Sequence, residues 1–128
     1  MTREAISTTG APAAIGPYSQ AIAVDGLVFC AGQAALDPVT GVLVEGGTGP
    51  ETERVMANLT AVLGAAGCGW ADVVKTTIFL VDMADFGAVN AIYGRFVAAP
   101  PPARSTVAVA GLPKGARVEI EVVARRPS

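Results

Sequence analysis

The sequence predicts an α+β fold with helices on one face of a β-sheet, and three observations predict it. Two segments, 55–66 and 86–97, carry apolar residues at helical spacing. Short runs rich in Val, Ile and Ala, bounded by Gly, Pro and Asp, read as strands. Their order is three strands, helix, strand, helix, two strands, so the second half has a β-α-β-α-β rhythm. After the helices cover one sheet face, no residues remain to cover the other. Of the 128 residues, 52% are apolar and only 16% charged, more apolar than a domain of this size hides inside itself. A neighbouring subunit is expected on the open face. One domain spanning residues 1–128 is expected.

Taken in order, residues 3–9 suit a short edge strand, and the Gly- and Pro-containing stretch 10–20 suits a loop. Tyr18 in that loop either points into a cleft or plugs an apolar surface with its hydroxyl in water. Strands at 20–24 and 27–31 meet at Asp25-Gly26, a two-residue hairpin signal. Residues 37–49 form a glycine-rich loop. Its Gly46-Gly47-Thr48-Gly49 is a weak phosphate-loop lookalike without the Gly-Lys-Ser/Thr ending. Thr48 and Glu51 stand at capping-box spacing, with Pro50 in the first turn of a helix. Val55, Met56, Leu59, Val62, Leu63 and Ala66 make its apolar face, and Gly67 ends it. The strand at 73–81 is apolar on both faces, so both faces are covered. A second helix over 85–97 turns Phe86, Val89, Tyr93, Phe96 and Val97 to the sheet. Asn90 lies beside that face, either solvated or touching a ligand.

The last two strands read as a hairpin, 103–110 and 118–124, with Pro100, Pro101 and Pro102 stiffening the approach and Gly111 to Gly115 as the turn. Alternation puts Arg104, Thr106, Ala108 and Ala110 on one face, and sets Glu119 and Glu121 opposite Val118, Ile120 and Val122. Hairpin register sets Arg104 across from 122–124 and Glu119 across from 107–109, an offset of ~10–17 Å along the strands. An arginine among Ala, Thr and Val needs a partner. An Arg–Glu ion pair, a rim position and a bound anion are the available readings.

The chain has no histidine, which excludes a Ser-His-Asp triad, a Cys-His pair, a histidine base and a His-ligated metal within it. Cys30 and Cys68 form no C-x-x-C and read as reduced, buried thiols of a cytoplasmic protein. Lys75 and Lys114 are the only lysines, so a Schiff base has few candidates. Net charge −2 and pI about 5.0 lack the basic footprint of a nucleic-acid binder. The uncharged stretch between Arg54 and Asp72 is short of a membrane span and contains Asn58 and Thr60, so a packed helix and its exit are expected there. Met1 to Glu4 opens no apolar signal-peptide core.

Several separated segments together resemble one family. They are 13–20 (Ala-Ala-Ile-Gly-Pro-Tyr-Ser-Gln), Ala31-Gly32-Gln33, Val74-Lys75-Thr76-Thr77, Asp85-Phe86 with Val89-Asn90, Pro102-Ala103-Arg104-Ser105, and Val118-Glu119-Ile120-Glu121. In order and nearly end to end, they are similar to the Rid (reactive intermediate deaminase) or YjgF family. The resemblance implies a chorismate-mutase-like α+β fold, a mixed sheet with two helices on one face, assembled as a barrel-like homotrimer with ligand clefts between subunits. It implies hydrolysis of enamines and imines such as 2-aminoacrylate to 2-keto acids and ammonia, with no cofactor and no metal. By position in the motifs, Tyr18, Ala31, Gly32, Asn90, Arg104 and Thr106 carry over to the ligand site.

The residues fit that chemistry. Arginine grips a carboxylate bidentately, so Arg104 suits a 2-imino or 2-keto acid. Glu119 is the candidate general base for the attacking water, its pKa raised by an apolar site. Two positions depart from the commonest family form: Ala31 stands where Ser is usual, and Thr106 where Cys is frequent. Both bear on substrate preference. A small-carboxylate-binding regulatory trimer is the alternative, and it needs Arg104 but no base. RNA cleavage conflicts with the acidic charge balance. A holdase role explains the apolar composition less simply than buried interfaces do.

Overall fold

The structure is a computed structural model that describes residues 2–127; Met1 and Ser128, the ends of the expected domain, lie outside the described residues. The strands are β1 (Glu4–Ile6), β2 (Ala21–Val24), β3 (Leu27–Gln33), β4 (Val73–Leu80), β5 (Ala103–Ala108) and β6 (Val118–Arg125). The helices are α1 (Thr48–Ala65) and α2 (Phe86–Tyr93). The strands form one six-stranded mixed sheet in the order β1-β2-β3-β6-β4-β5.

Helical periodicity in α1 becomes a core. Val55, Met56, Leu59 and Val62 are fully buried, as are Ile78 and Leu80 of β4 and Val118, Ile120 and Val122 of β6. The second helix adds Val89 and Tyr93, with Phe86, Phe96 and Val97 packed at the margin of the same cluster. The other sheet face is open and exposes Phe29 and Val107. No helix among the described residues is long and apolar enough to cross a membrane.

The expected hairpin at the end of the chain does not form. β4 lies between the two strands, parallel to β5 and antiparallel to β6. A parallel pair needs a crossover, and α2 supplies it. Segment 109–117 then crosses the end of β4, continuing both ladders through Val109 N–H to Leu80 O (2.7 Å) and Val81 N–H to Arg117 O (3.2 Å). The predicted levels survive the insertion. Arg104 pairs with Thr76, which pairs with Val122, and Glu119 pairs with Phe79, which pairs with Val107.

Helix ends follow the sequence in part. Gly67, at φ 79°, closes α1 with paired bonds from Gly67 N–H to Gly64 O and Cys68 N–H to Leu63 O, as glycine at that position allows. At the other end the capping box is absent: Gly47 is the N-cap and no side chain caps the helix. Glu51 is instead buried and accepts from Arg117 N–H at 2.9 Å, so a tertiary donor has taken the local one's place. α2 stops at Tyr93, short of residue 97, where Gly94 weakens the helix and tighter turns to Ile92 O and Tyr93 O follow.

Asn58 shows why one polar residue sits in the uncharged part of α1. It is fully buried, donates to Ala34 O (3.3 Å) and Leu36 O (3.0 Å), and accepts from Arg54 Nε (2.9 Å). Segment 34–36, which leads out of β3, is thereby pinned to the helix. Asn58→Leu should lower the unfolding free energy by about 2 kcal/mol or more, because two carbonyls lose their donor; urea denaturation measures the loss.

Candidate functional site

β5 is an edge strand, and its parallel register with β4 sets the direction of Arg104. Thr76, the β4 residue beside it, is buried under the helices, so Arg104 also projects to the helix-covered face. There its Nη1 donates to Asn90 Oδ1 at 2.7 Å, and its guanidinium carbon lies 5.1 Å from the Tyr93 ring centroid and 5.4 Å from that of Phe86. Cation–π attraction and one hydrogen bond hold the group. Among the described residues no carboxylate pairs with it, which removes the Arg–Glu reading. Arg104, Tyr93, Pro101 and Pro102 line a concavity of about 330 Å³. Two residues along the strand, the Thr106 hydroxyl is buried and unpartnered.

Glu119 stands elsewhere. It alternates with buried Val118 and Ile120, so it projects to the open face. It lines a separate cavity of about 320 Å³ with Tyr18, Gly32, Gln33, Ile15 and Lys114. Burial raises its pKa above the usual 4.5, and the Glu121 carboxylate nearby adds to the rise. A bulge in β3 shapes the wall: the register jumps between Cys30, opposite Val122, and Gln33, opposite Ile120. Ala31 and Gly32 occupy that jump, the kind of irregularity that re-aims side chains. A Cβ on Gly32 would stand 2.9 Å from Glu119 Cδ, so the absent side chain makes room for the carboxylate. Ala31 sits in the bulge but is outside the cavity lining.

Tyr18 is exposed and reaches the Glu119 cavity, its hydroxyl accepting from Ile15 N–H at 3.4 Å. The loop that carries it is fastened by buried Gln20, whose Nε2 donates to Thr8 O, Ala11 O and Pro12 O while Oε1 accepts from Thr8 N–H. That anchoring was legible only as a polar residue opening a strand.

The candidate residues therefore fall into two groups, with Arg104, Asn90 and Thr106 at the helix-covered face and Glu119, Gly32 and Tyr18 around the separate cavity. Arg104 and Glu119 are two strands apart and three residues out of level, about 14 Å between backbones at ~4.8 Å strand spacing and ~3.3 Å rise, and they point to opposite faces. The sequence missed Tyr93 and Phe86 as partners of Arg104, taking both only as core residues.

A family model described as Endoribonuclease L-PSP matches residues 8–126. The chain belongs to this family, the Rid or YjgF family. A RutC family protein of Synechocystis is 56% identical over a 130-residue alignment that covers 100% of both chains. The 2-iminobutanoate/2-iminopropanoate deaminase of Mus musculus is 53% identical over 122 residues, 95% of this chain and 90% of that one. Among solved structures, E. coli TdcF with bound serine superposes with TM-score 0.90 at 36% identity, covering 97% of this chain and 99% of its own.

Neither thiol of this Rid protein suits nucleophilic work. Burial pushes Cys30 up to about 12, with Cys68 adding to it, and burial also raises Cys68. At pH 8 the Cys30 thiolate fraction is then on the order of 10⁻⁴. An aromatic disulfide reagent should leave Cys30 unmodified in the native protein and reach it after denaturation, as peptide mass mapping will show.

Proposed function

We propose that this protein, a single Rid-like domain, is a cofactor-free deaminase that hydrolyses 2-imino acids and their enamine tautomers to 2-keto acids and ammonia. It works as a homotrimer in the cytoplasm, and each site joins the Arg104 half of one subunit to the Glu119 half of its neighbour. The observation that carries this reading is a guanidinium with no carboxylate partner among the described residues, on a sheet edge, while Glu119, a carboxylate of raised pKa, lines a cavity on the opposite face. The names of the deaminase relatives, at about half identity, support the substrate class. The open face with exposed Phe29 and Val107 supports the assembly, and two free thiols suit a reducing compartment.

The steps follow from the residues. Arg104 takes the substrate carboxylate as a fork and sets its orientation. An enamine first gains a proton at its terminal carbon and becomes the iminium. Glu119, ionised, takes a proton from a water whose oxygen bonds to the iminium carbon, giving a carbinolamine. Glu119 then gives that proton to nitrogen and takes the one on the carbinolamine hydroxyl as the C–N bond breaks, so ammonia leaves and the carbonyl forms. The iminium is already electrophilic, so this route calls on no metal.

Arg104→Ala should cut imine hydrolysis ~10–100-fold, the loss of a charge-assisted contact worth about 1.5–3 kcal/mol. The assay generates imines with an amino-acid oxidase and follows the decline in semicarbazone. Arg104→Ala and Glu119→Ala, each of low activity alone, should give a mixture more active than either when unfolded together and reassembled, because a mixed trimer can contain a site with both side chains intact. Verified subunit exchange without recovery would put both residues in one chain's site. The acidic limb of the pH profile should follow Glu119. The base works only when ionised, so activity falls as pH drops through a pKa above 4.5; Glu119→Gln should be slow and lack that limb.

Two other readings have an observation behind them. The family model's description names an endoribonuclease, yet net charge −2 gives RNA no basic track. Bound serine in the E. coli relative is compatible with a carboxylate sensor. A sensor would bind 2-oxobutanoate through Arg104 and show no turnover dependent on Glu119.

A further inference from the structure

Thr76, Tyr93 and Arg104 close a triangle. Thr76 and Arg104 are direct neighbours in the β4–β5 ladder. The Tyr93 hydroxyl lies 2.8 Å from Thr76 Oγ1 in a buried hydrogen bond. The Tyr93 ring lies 5.1 Å from the guanidinium carbon of Arg104. Thr76 is 1% exposed and is followed on the same face by Ile78 and Leu80, so packing alone would be served by valine there. Tyr93 is 4% exposed, so phenylalanine would equally fill its place. The buried hydroxyl pair satisfies itself, as buried polar groups must, and gains little net stability. What it adds is direction. It fixes the ring against the very strand pair that fixes the Arg104 backbone.

We infer that Tyr93, held by Thr76, is a positioning residue that presents the Arg104 guanidinium to the substrate carboxylate. This rests on the reading of Arg104 as the carboxylate grip. Arginine side chains are long and lose several rotamers when ordered. Asn90 binds one nitrogen of the fork, and a single bond to an exposed amide does not fix the plane. A ring against the guanidinium does, since stacking and cation–π attraction both constrain the planar group. Phe86, at 5.4 Å, supplies a second ring at the margin of the core. The hydroxyl pair keeps the Tyr93 ring from following the guanidinium as it moves. The effect is on binding that ground state and transition state share, so KM and product affinity move more than kcat.

The test titrates 2-oxobutanoate, the 2-keto acid product, into the intact trimer by calorimetry, with Arg104→Ala as the reference for lost binding. Tyr93→Leu should weaken 2-oxobutanoate binding ~10-fold or more, and raise KM for the imine while kcat stays within about threefold. Tyr93→Phe keeps the ring and should recover most of the affinity. Thr76→Val and the double variant Tyr93→Phe/Thr76→Val should match Tyr93→Phe in affinity, because all three lose the same hydroxyl bond and keep the ring, and only the double variant leaves no buried hydroxyl without its partner. The Arg104 Nε–H resonance, sharp in the wild type, should broaden in Tyr93→Leu and be restored in Tyr93→Phe. Tyr93→Leu with wild-type 2-oxobutanoate affinity, or with a melting-temperature loss and an unchanged Nε–H signal, overturns the inference. Should wild type bind no 2-oxobutanoate in an Arg104-dependent way, the reading of Arg104 itself has failed, and the resonance series still decides whether Tyr93 orders the guanidinium.

Discussion

A guanidinium and a carboxylate that meet inside one chain satisfy each other and bind nothing else. In this fold β4 keeps Arg104 and Glu119 from meeting. It separates β5 from β6, and its pairing with each puts Arg104 under the helices and Glu119 on the open face. Each group is then left with what its own face offers. Arg104 has two aromatic rings and an amide oxygen. Glu119 has a half-buried cavity in which burial opposes its ionisation. A half-buried carboxylate whose ionisation burial opposes is costly to keep, and a cation without a carboxylate beside it keeps its charge free for another anion. Both persist because their neighbours hold them in place without neutralising them.

The rest of the fold makes that separation rigid. α1 buries its whole apolar face against the centre of the sheet, and α2 both forms the crossover that makes β5 parallel and carries Asn90, Tyr93 and Phe86 to Arg104. The surroundings of Glu119 are set by the β3 bulge, by Gly32 and by the Gln20 knot that fastens the Tyr18 loop. Residues 34–36, held by Asn58, lead out of the same bulged strand. Arg104 thus stands on a strand paired to β4 on its one bonded side and Glu119 on a strand paired on both sides, a rigid support for both side chains.

What the sequence made legible was whatever local spacing encodes. The α1 face, the Gly67 stop, the Asp25-Gly26 hairpin and the alternation of Arg104 and Glu119 all follow from periods and turn chemistry. Strand neighbours do not. Nothing in 103–124 tells a hairpin from two strands with a third between them, and the two-sided apolarity of 73–81 spoke for covered faces, not for which strands flank it. The capping box failed for a similar reason, because Glu51 met a distant donor in Arg117. Phe86 and Tyr93 passed as core because an aromatic residue at helical spacing looks the same whether its ring meets a leucine or a guanidinium.

The two departures from the common family pattern fall on different strands, Thr106 on β5 and Ala31 in the β3 bulge. Thr106 lies on the Arg104 face with a buried, unpartnered hydroxyl. A dry hydroxyl of that kind costs about 1–3 kcal/mol, and a hydroxyl is a stronger donor than the thiol frequent at this position. Its cost is offset when a ligand or a water accepts from it, so in the proposed site Thr106 would favour an occupant with an acceptor near the carboxylate. Ala31 lies in the bulge beside Gly32, outside the cavity lining. A hydroxyl lost there changes how the bulge is bonded before it changes what the cavity touches. In the proposed trimer one subunit would read the carboxylate end of the substrate while its neighbour places the water, so Thr106 bears on which acids are held and Ala31 on how Glu119 is aimed.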